Sequence, residues 1–276
     1  MAAVPWRLIV GDEAGCTDRL PVAGAGAHNM AFDQALLESV AVGAPPVLRL
    51  YRWRPACLSF GRNQPAAGLY DETRVRALGL DVVRRPTGGF GVLHDAELTY
   101  AVVAPAGLLG GPRAAYAAIN RALAQGLRTL GVPASLAAGT GGRPDAPAFP
   151  AVHPCFEQAA AGEVVVAGRK LVGSAQRVER RTILQHGSIL LDGTQAALQQ
   201  LRTMPATGAD ARIAATSVRE VLGRVPSWDA LTRALVDAVA NMVGTALAPA
   251  ALGREERARV QTLEGWFADP AWTWRR

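Results

Sequence analysis

Cys155 and Lys170 are the side chains in this sequence best suited to covalent chemistry. Cys155 falls in Val152-His-Pro-Cys-Phe156, at the end of a Gly/Pro/Ala stretch over 137 to 154. Pro154 fixes the approach of the chain, and a loop is where a thiol can be exposed and act as a nucleophile. Cys57 differs: it lies in the apolar run Ala56-Cys-Leu-Ser-Phe60 with no cation nearby, as expected of a small buried hydrophobe. Lys170 follows Cys155 by fifteen residues and is the sole lysine among 29 basic residues. A lysine amine is a compact charge that can lose its proton, whereas a guanidinium is forked and stays charged. An ammonium about 4 Å from a thiolate is worth about 4 kcal/mol at an effective dielectric near 20, before desolvation is subtracted. That would ionise much of an ordinary thiol at neutral pH. The plain alternative for Lys170 is a solvated hairpin residue.

Other candidates are weaker alone. Arg84-Arg85-Pro-Thr87-Gly88-Gly89 reads as a strand running into a Gly-Gly turn, followed by His94-Asp95. Glycines there would let backbone N–H groups close on an acyl carbonyl or a phosphate, although such turns often only connect strands. Gly173-Ser174-Ala175-Gln176 reads as a second turn of small residues, and His186-Gly187 adds an imidazole.

The elements that must position these residues follow from periodicity and punctuation. The segment up to about Gly26 reads as loop, and Asn29 as the cap of a helix to Val40. Val47 to Trp53 and Ala56 to Phe60 read as strands, Tyr70 to Leu78 as a helix closed by Gly79, Asp81 to Arg85 and Glu97 to Val103 as strands, and Pro112 to Leu130 as an amphipathic helix. Glu163 to Gly168 and Thr182 to His186, extended by Ser188 to Leu191, read as one hairpin flanking Lys170. Helical patterns follow near 195 to 203, 227 to 247 and 254 to 268. Strands first and helices later predict an α+β fold with mixed or antiparallel sheets flanked by helices, in one domain over 1–276 with its core at about 29–250.

Bulk composition sets the class. With 276 residues, half of them hydrophobic and 19% charged, the chain is globular. Three widely spaced cysteines form neither a disulfide framework nor a metal pattern. The absence of a secretion signal and of an apolar run of membrane-spanning length predicts a cytoplasmic protein. The net charge of +6 favours an acidic partner, but the arginines are scattered and no basic run is interleaved with aromatics, which argues against nucleic acid.

Taken in order, Asn29-Met-Ala-x-Asp33, Tyr51-x-Trp53-x-Pro55 with Ser59-x-Gly61-x-x-Gln64, Arg84-Arg-Pro-Thr-Gly-Gly89 with Val92-Leu-His-Asp95, and Gly168-Arg-Lys-Leu-Val-Gly-Ser-Ala-Gln176 with Leu184-Gln-His-Gly-Ser188 resemble the lipoate/biotin protein ligase superfamily. The similarity is dense over 29–103 and 153–192. Within the superfamily, Pro-Cys-Phe fifteen residues before Gly-Arg-Lys resembles the octanoyl-carrier-protein:protein N-octanoyltransferases of the LipM type. The chain also stops soon after Trp274, where many ATP-dependent lipoate ligases continue into another domain.

The resemblance implies a biotin/lipoate ligase-like catalytic fold and transfer of an octanoyl group from acyl carrier protein, through a thioester on Cys155, to a lysine of lipoyl domains or glycine-cleavage H protein. Lys170 would lower the pKa of Cys155. Arg84, Thr87, Gly88, Gly89, His94, Gly173, Ser174, Ala175, His186 and Gly187 would bind substrate. Neither cofactor nor metal is implied, and the protein would act as a monomer. Phe90-Gly91 departs from the usual Arg-Ala, so an aromatic ring would shorten or reshape the acyl pocket. An amidotransferase drawing octanoyl from H protein, an ATP-dependent ligase and a non-catalytic carrier-binding scaffold remain as alternatives.

Overall fold

The computed structural model describes residues 4–11, 25–138, 159–193, 195–204 and 215–275. Along the chain run β1 (Trp6–Val10), α1 (Ala25–Ala41), β2 (Val47–Tyr51), β3 (Cys57–Phe60), α2 (Glu72–Ala77), β4 (Asp81–Arg84), β5 (Val92–His94) and β6 (Glu97–Pro105). After a 3-10 turn at Ala106–Leu109 come α3 (Pro112–Thr129), β7 (Ser135–Leu136), β8 (Val164–Val166), β9 (Arg169–Lys170), β10 (Val172–Glu179) and β11 (Thr182–Leu190). The remainder is α4 (Ala196–Gln200), α5 (Val218–Leu222), α6 (Trp228–Val243), β12 (Leu247–Pro249), α7 (Arg254–Ala268) and α8 (Pro270–Thr273).

The main sheet has six strands in the order β10-β11-β6-β2-β1-β12. The first four pair antiparallel, and β1 runs parallel to both its neighbours. Leu48 and Leu50 of β2, with Tyr100 and Val102 of β6, pack against α3 and α6. Val47 and Tyr51, with Ala101 and Val103, face α1 and α7 instead. Helices cover both faces, so all five residues of β2 are buried although the sequence alternates. Two small sheets, β4-β3-β5 and β7-β8-β9, flank the main one. Mixed sheets flanked by helices are the predicted fold class.

Several local expectations change. The N-terminal segment read as loop contains β1, a strand whose five residues find their partners only through parallel pairing with β2 and β12, distant in sequence. Asn29 does not cap α1, which begins at Ala25; its buried side chain accepts from Arg49 at 2.6 Å and donates to the Arg52 carbonyl at 3.1 Å. Gly173 to Gln176 is strand, not turn. The single hairpin around Lys170 resolves into two: β8 with β9, and β10 with β11, in different sheets. Cys57 is fully buried, and burial pushes its thiol well up.

Candidate active site

One register row crosses four strands of the main sheet: Ala175 pairs with His186, His186 with Ala101, and Ala101 with Arg49. Ala101 is small, and Asp33 of α1 reaches both of its neighbours over it. One Asp33 oxygen accepts from Arg49 at 2.7 Å; the other accepts from Tyr51 at 2.9 Å and lies 2.9 Å from His186 Nδ1. Burial pulls the Asp33 carboxyl up, but Arg49 and His186 override it and hold the group below its usual value. Burial brings His186 below its ordinary 6.5 against the pull of Asp33. A neutral imidazole with its proton on Nδ1 satisfies both contacts, because Nε2 then accepts from the Thr87 hydroxyl at 2.6 Å.

Two residues along, the row Gly173–Ser188–Thr99–Tyr51 crosses the same four strands, and all four residues line a pocket with about 340 Å³ of space, its open mouth included. Three strand spacings make this row about 14 Å long. Small residues stand at the β10–β11 end: Gly173, Ser174, Ala175 and Gly187. Gly187 is required there, since a Cβ would sit 2.2 Å from the Gly173 carbonyl oxygen. At the other end Trp53 stacks on His94, with centroids 4.1 Å apart and planes at 12°. Both rings are pinned: Trp53 Nε1 donates to Thr99 at 2.8 Å, and the His94 nitrogens meet Glu97 at 2.8 Å and Ser59 at 2.7 Å.

Arg85 also lines the pocket and holds the Gly-Gly turn in place. Its guanidinium donates to Ser59 Oγ at 2.7 Å and to the carbonyls of Gly88 and Phe90, each at 3.0 Å. The turn lies against Gly61, where a Cβ would come 1.9 Å from the Gly89 oxygen.

Lys170 is 2% exposed, not solvated. Its Nζ lies 2.7 Å from Glu163 Oε2, and that carboxylate also accepts from the Ala160 backbone N–H at 2.7 Å. The chain continues through Leu171 into β10, so the ammonium stands three residues before the small-residue end of the pocket. A second buried network backs this end. Asn120 of α3 donates to the Gly162 carbonyl at 3.0 Å and accepts from Ser174 at 3.2 Å, and Ser174 lies 2.7 Å from the Tyr100 hydroxyl, which burial lifts to about 12.

Cys155, with the segment from 139 to 158 that contains it, lies outside the described residues. Of the other expected site residues, His94, Gly173, Ser174, Ala175, His186 and Gly187 meet in the pocket walls. Thr87 sits behind them on His186, and Gly88 and Gly89 form the braced turn. Arg84 goes elsewhere. It is fully buried, and its guanidinium donates to the carbonyls of Gly61, Gln64, Trp272 and Thr273, tying the C-terminal segment to β4. Phe90 is not among the walls. Sequence reasoning passed over Met30, Trp53, Arg85 and Thr99 as walls and the Asp33–Arg49 pair behind them. The available signal was Arg49 inside an apolar strand, which requires a buried acid.

The model of the lipoyl protein ligase A/B catalytic domain matches residues 25–240. The chain is 39% identical over 268 residues to octanoyltransferase LipM of Kyrpidia tusciae, covering 92% of this chain and 96% of that one. With octanoyltransferase LipM of Moorella thermoacetica the identity is 36% over 287 residues, both chains being covered fully. Among solved structures, a chain from the bi-partite lipoate protein ligase and E2 lipoyl domain system of Thermoplasma acidophilum superposes with a TM-score of 0.74 at 21% identity, over 98% of this chain and 96% of that one, a likeness of fold.

Proposed function

The chain belongs to the lipoyl protein ligase A/B catalytic-domain family, and from that premise we propose that it is an octanoyltransferase working through a thioester on Cys155. The donor is octanoyl-acyl carrier protein, and the acceptor is a lysine of a lipoyl domain or H protein. The Cys155 thiolate attacks the donor thioester carbon, and the carrier thiolate leaves. Both thiolates are of similar stability, so the exchange is near balance and needs no nucleotide. The acceptor amine then attacks the Cys155 thioester, and amide formation drives the second step.

The observation that carries this reading is a buried, carboxylate-paired lysine, the only one in the chain, three residues before the small-residue end of the pocket. An octanoyl chain is apolar and needs a trough without uncompensated charge. Arg49 balances Asp33, and His186 is neutral, so the wall over Ala101 is compatible with such an occupant. The small residues of β10 and β11 leave the backbone accessible to the acyl carbonyl, where N–H groups can stabilise the oxyanion. The net charge of +6 favours encounter with an acidic carrier, and the protein acts as a monomer on it.

Mass spectrometry after mixing the protein with octanoyl-acyl carrier protein should show one octanoyl adduct, on Cys155 and labile to hydroxylamine. Cys155→Ser should show no thioester and no transfer to a lipoyl domain. A hydroxylamine-labile adduct that persists in Cys155→Ser, or transfer that requires ATP, would sink the proposal.

A further inference from the structure

We propose that Glu97, behind the Trp53–His94 end of the pocket, is a positioning residue that decides what the acyl tail can carry. It draws the hydroxyl and ring protons of the wall away from the cavity, so a plain hydrocarbon tail fits and a tail bearing a carbonyl oxygen is rejected. The inference rests on the octanoyl-transfer reading, in which the thioester lies at the small-residue end and the tail at the other.

By composition this end is polar. His94, Thr99 and Ser188 line it beside Trp53, and all four are buried. Their protons converge on one carboxylate oxygen. Glu97 Oε1 accepts from Thr99 Oγ1 at 2.5 Å and from Ser188 Oγ at 2.7 Å, and His94 Nδ1 lies 2.8 Å from it. Trp53 joins through Thr99, whose hydroxyl accepts the indole N–H at 2.8 Å while giving its own proton to Glu97. The far side of the His94 ring is set in the same way. Arg85 donates to Ser59 Oγ at 2.7 Å, which leaves the Ser59 proton for His94 Nε2 at 2.7 Å and places the ring proton on Nδ1, toward Glu97.

Strand geometry puts the carboxylate there. Glu97 and Thr99 alternate along β6 onto the pocket face, and Ser188 of β11 pairs with Thr99, so Glu97 stands one step past the last wall residue of its strand. It is 2% exposed, and its second oxygen accepts from none of the described residues. The carboxylate therefore has acceptor capacity to spare and outcompetes an incoming oxygen for the protons of these side chains. A methyl or methylene group loses nothing against such a wall. A carbonyl oxygen leaves its hydrogen bonds to water behind, meets lone pairs, and is buried unpaired.

The test compares octanoyl-, 7-oxooctanoyl- and 3-oxooctanoyl-acyl carrier protein as donors to a lipoyl domain, by kcat/KM, for the full-length enzyme. The 7-oxo oxygen lies at the tail, and the 3-oxo oxygen lies beside the thioester, away from Glu97. The wild type should prefer octanoyl over 7-oxooctanoyl by at least about thirtyfold. Glu97→Met removes the acceptor and turns the Thr99, Ser188 and His94 protons loose toward the cavity. The 7-oxo preference should then fall to within about threefold, while the octanoyl to 3-oxooctanoyl ratio stays within about threefold of its wild-type value. A general loosening of the pocket would move both ratios together; that result, or an unchanged 7-oxo preference, overturns the inference. Should Glu97→Met not fold, Glu97→Gln carries the test. An amide oxygen has two lone pairs for three donors, so the 7-oxo preference should shrink by at least about threefold, and an unchanged preference counts against the inference. A wild type that uses 7-oxooctanoyl within about threefold of octanoyl overturns the inference without any variant and leaves the functional reading in place. If the wild type transfers no octanoyl at all, the functional reading fails, and calorimetric binding of octanoate against 7-oxooctanoate to the same proteins decides the inference by the same ratios.

Discussion

Asp33 shows how a single buried carboxylate can organise several neighbours. It accepts from Arg49 and Tyr51 and contacts His186, none of them near it in sequence. Both Asp33 and His186 titrate below their ordinary values, Asp33 because Arg49 and His186 outweigh its burial, His186 because burial outweighs Asp33. The linkage has one sign for both. When the folded value lies below the unfolded one, the unfolded chain binds more protons in the window between them, so stability is present above the unfolded value and lost on acidification. The first loss opens just below 6.5 from His186, and a second opens below 3.8 from Asp33. Melting temperature should decline from about pH 6.5 downward, and His186→Gln should flatten the upper part of that decline. A melting temperature level between pH 6.5 and 5, or a slope unchanged in the variant, would contradict the assignment of a neutral His186.

At the level of elements, the close pairing of β10 with β11 sets the small-residue end of the pocket. The Gly173 carbonyl approaches Gly187 too tightly for any side chain, so Gly187→Ala must push the strands apart. The expected cost is about 1–3 kcal/mol, typical of overpacking, measured by urea unfolding. Acyl transfer should fall with it, because Ala175 and His186 are paired one register step away and line the same pocket. Retention of wild-type stability would mean that the sheet relaxes at no cost. The existence of these strands was legible in the sequence; their pairing was not. Thr182 to Leu190 is apolar enough to read as a strand, but Val172 to Glu179 contains Gly, Ser, Ala and Gln, which read as a turn. The tertiary context overrides that weak preference, because β10 is an edge strand recruited by β11.

Across the whole molecule, Arg84 joins regions nearly two hundred residues apart. It brings β4 and the Gly61–Gln64 loop to the carbonyls of Trp272 and Thr273. Burial, with Arg275 and Arg85 nearby, brings it down to about 10, so it remains charged at neutral pH. Arg84→Met should orphan these carbonyls, cost about 3 kcal/mol or more, and raise amide exchange in 270–275 while the β6–β11 amides stay protected. Uniform deprotection would show that the C-terminal segment unfolds only with the entire molecule. The family resemblance implied a substrate role for Arg84 because it stands in Arg84-Arg85-Pro-Thr-Gly-Gly89. The neighbour Arg85 faces the pocket, since successive residues of a strand point to opposite sides. No helix among the described residues is long and apolar enough to cross a membrane.

The sequence by itself determined the ordered motifs that identify the family, the α+β class, the long helices, and Lys170 as a residue apart. Composition, periodicity and residue type are local properties and can be read without coordinates. Only the tertiary structure decided that Lys170 is buried on Glu163, that Arg84 serves the C-terminus while Arg85 serves the pocket, and that Phe90 stands outside it. Those outcomes depend on strand register and on which face each helix covers. Both are settled by contacts between residues far apart in the chain, and no local pattern records them.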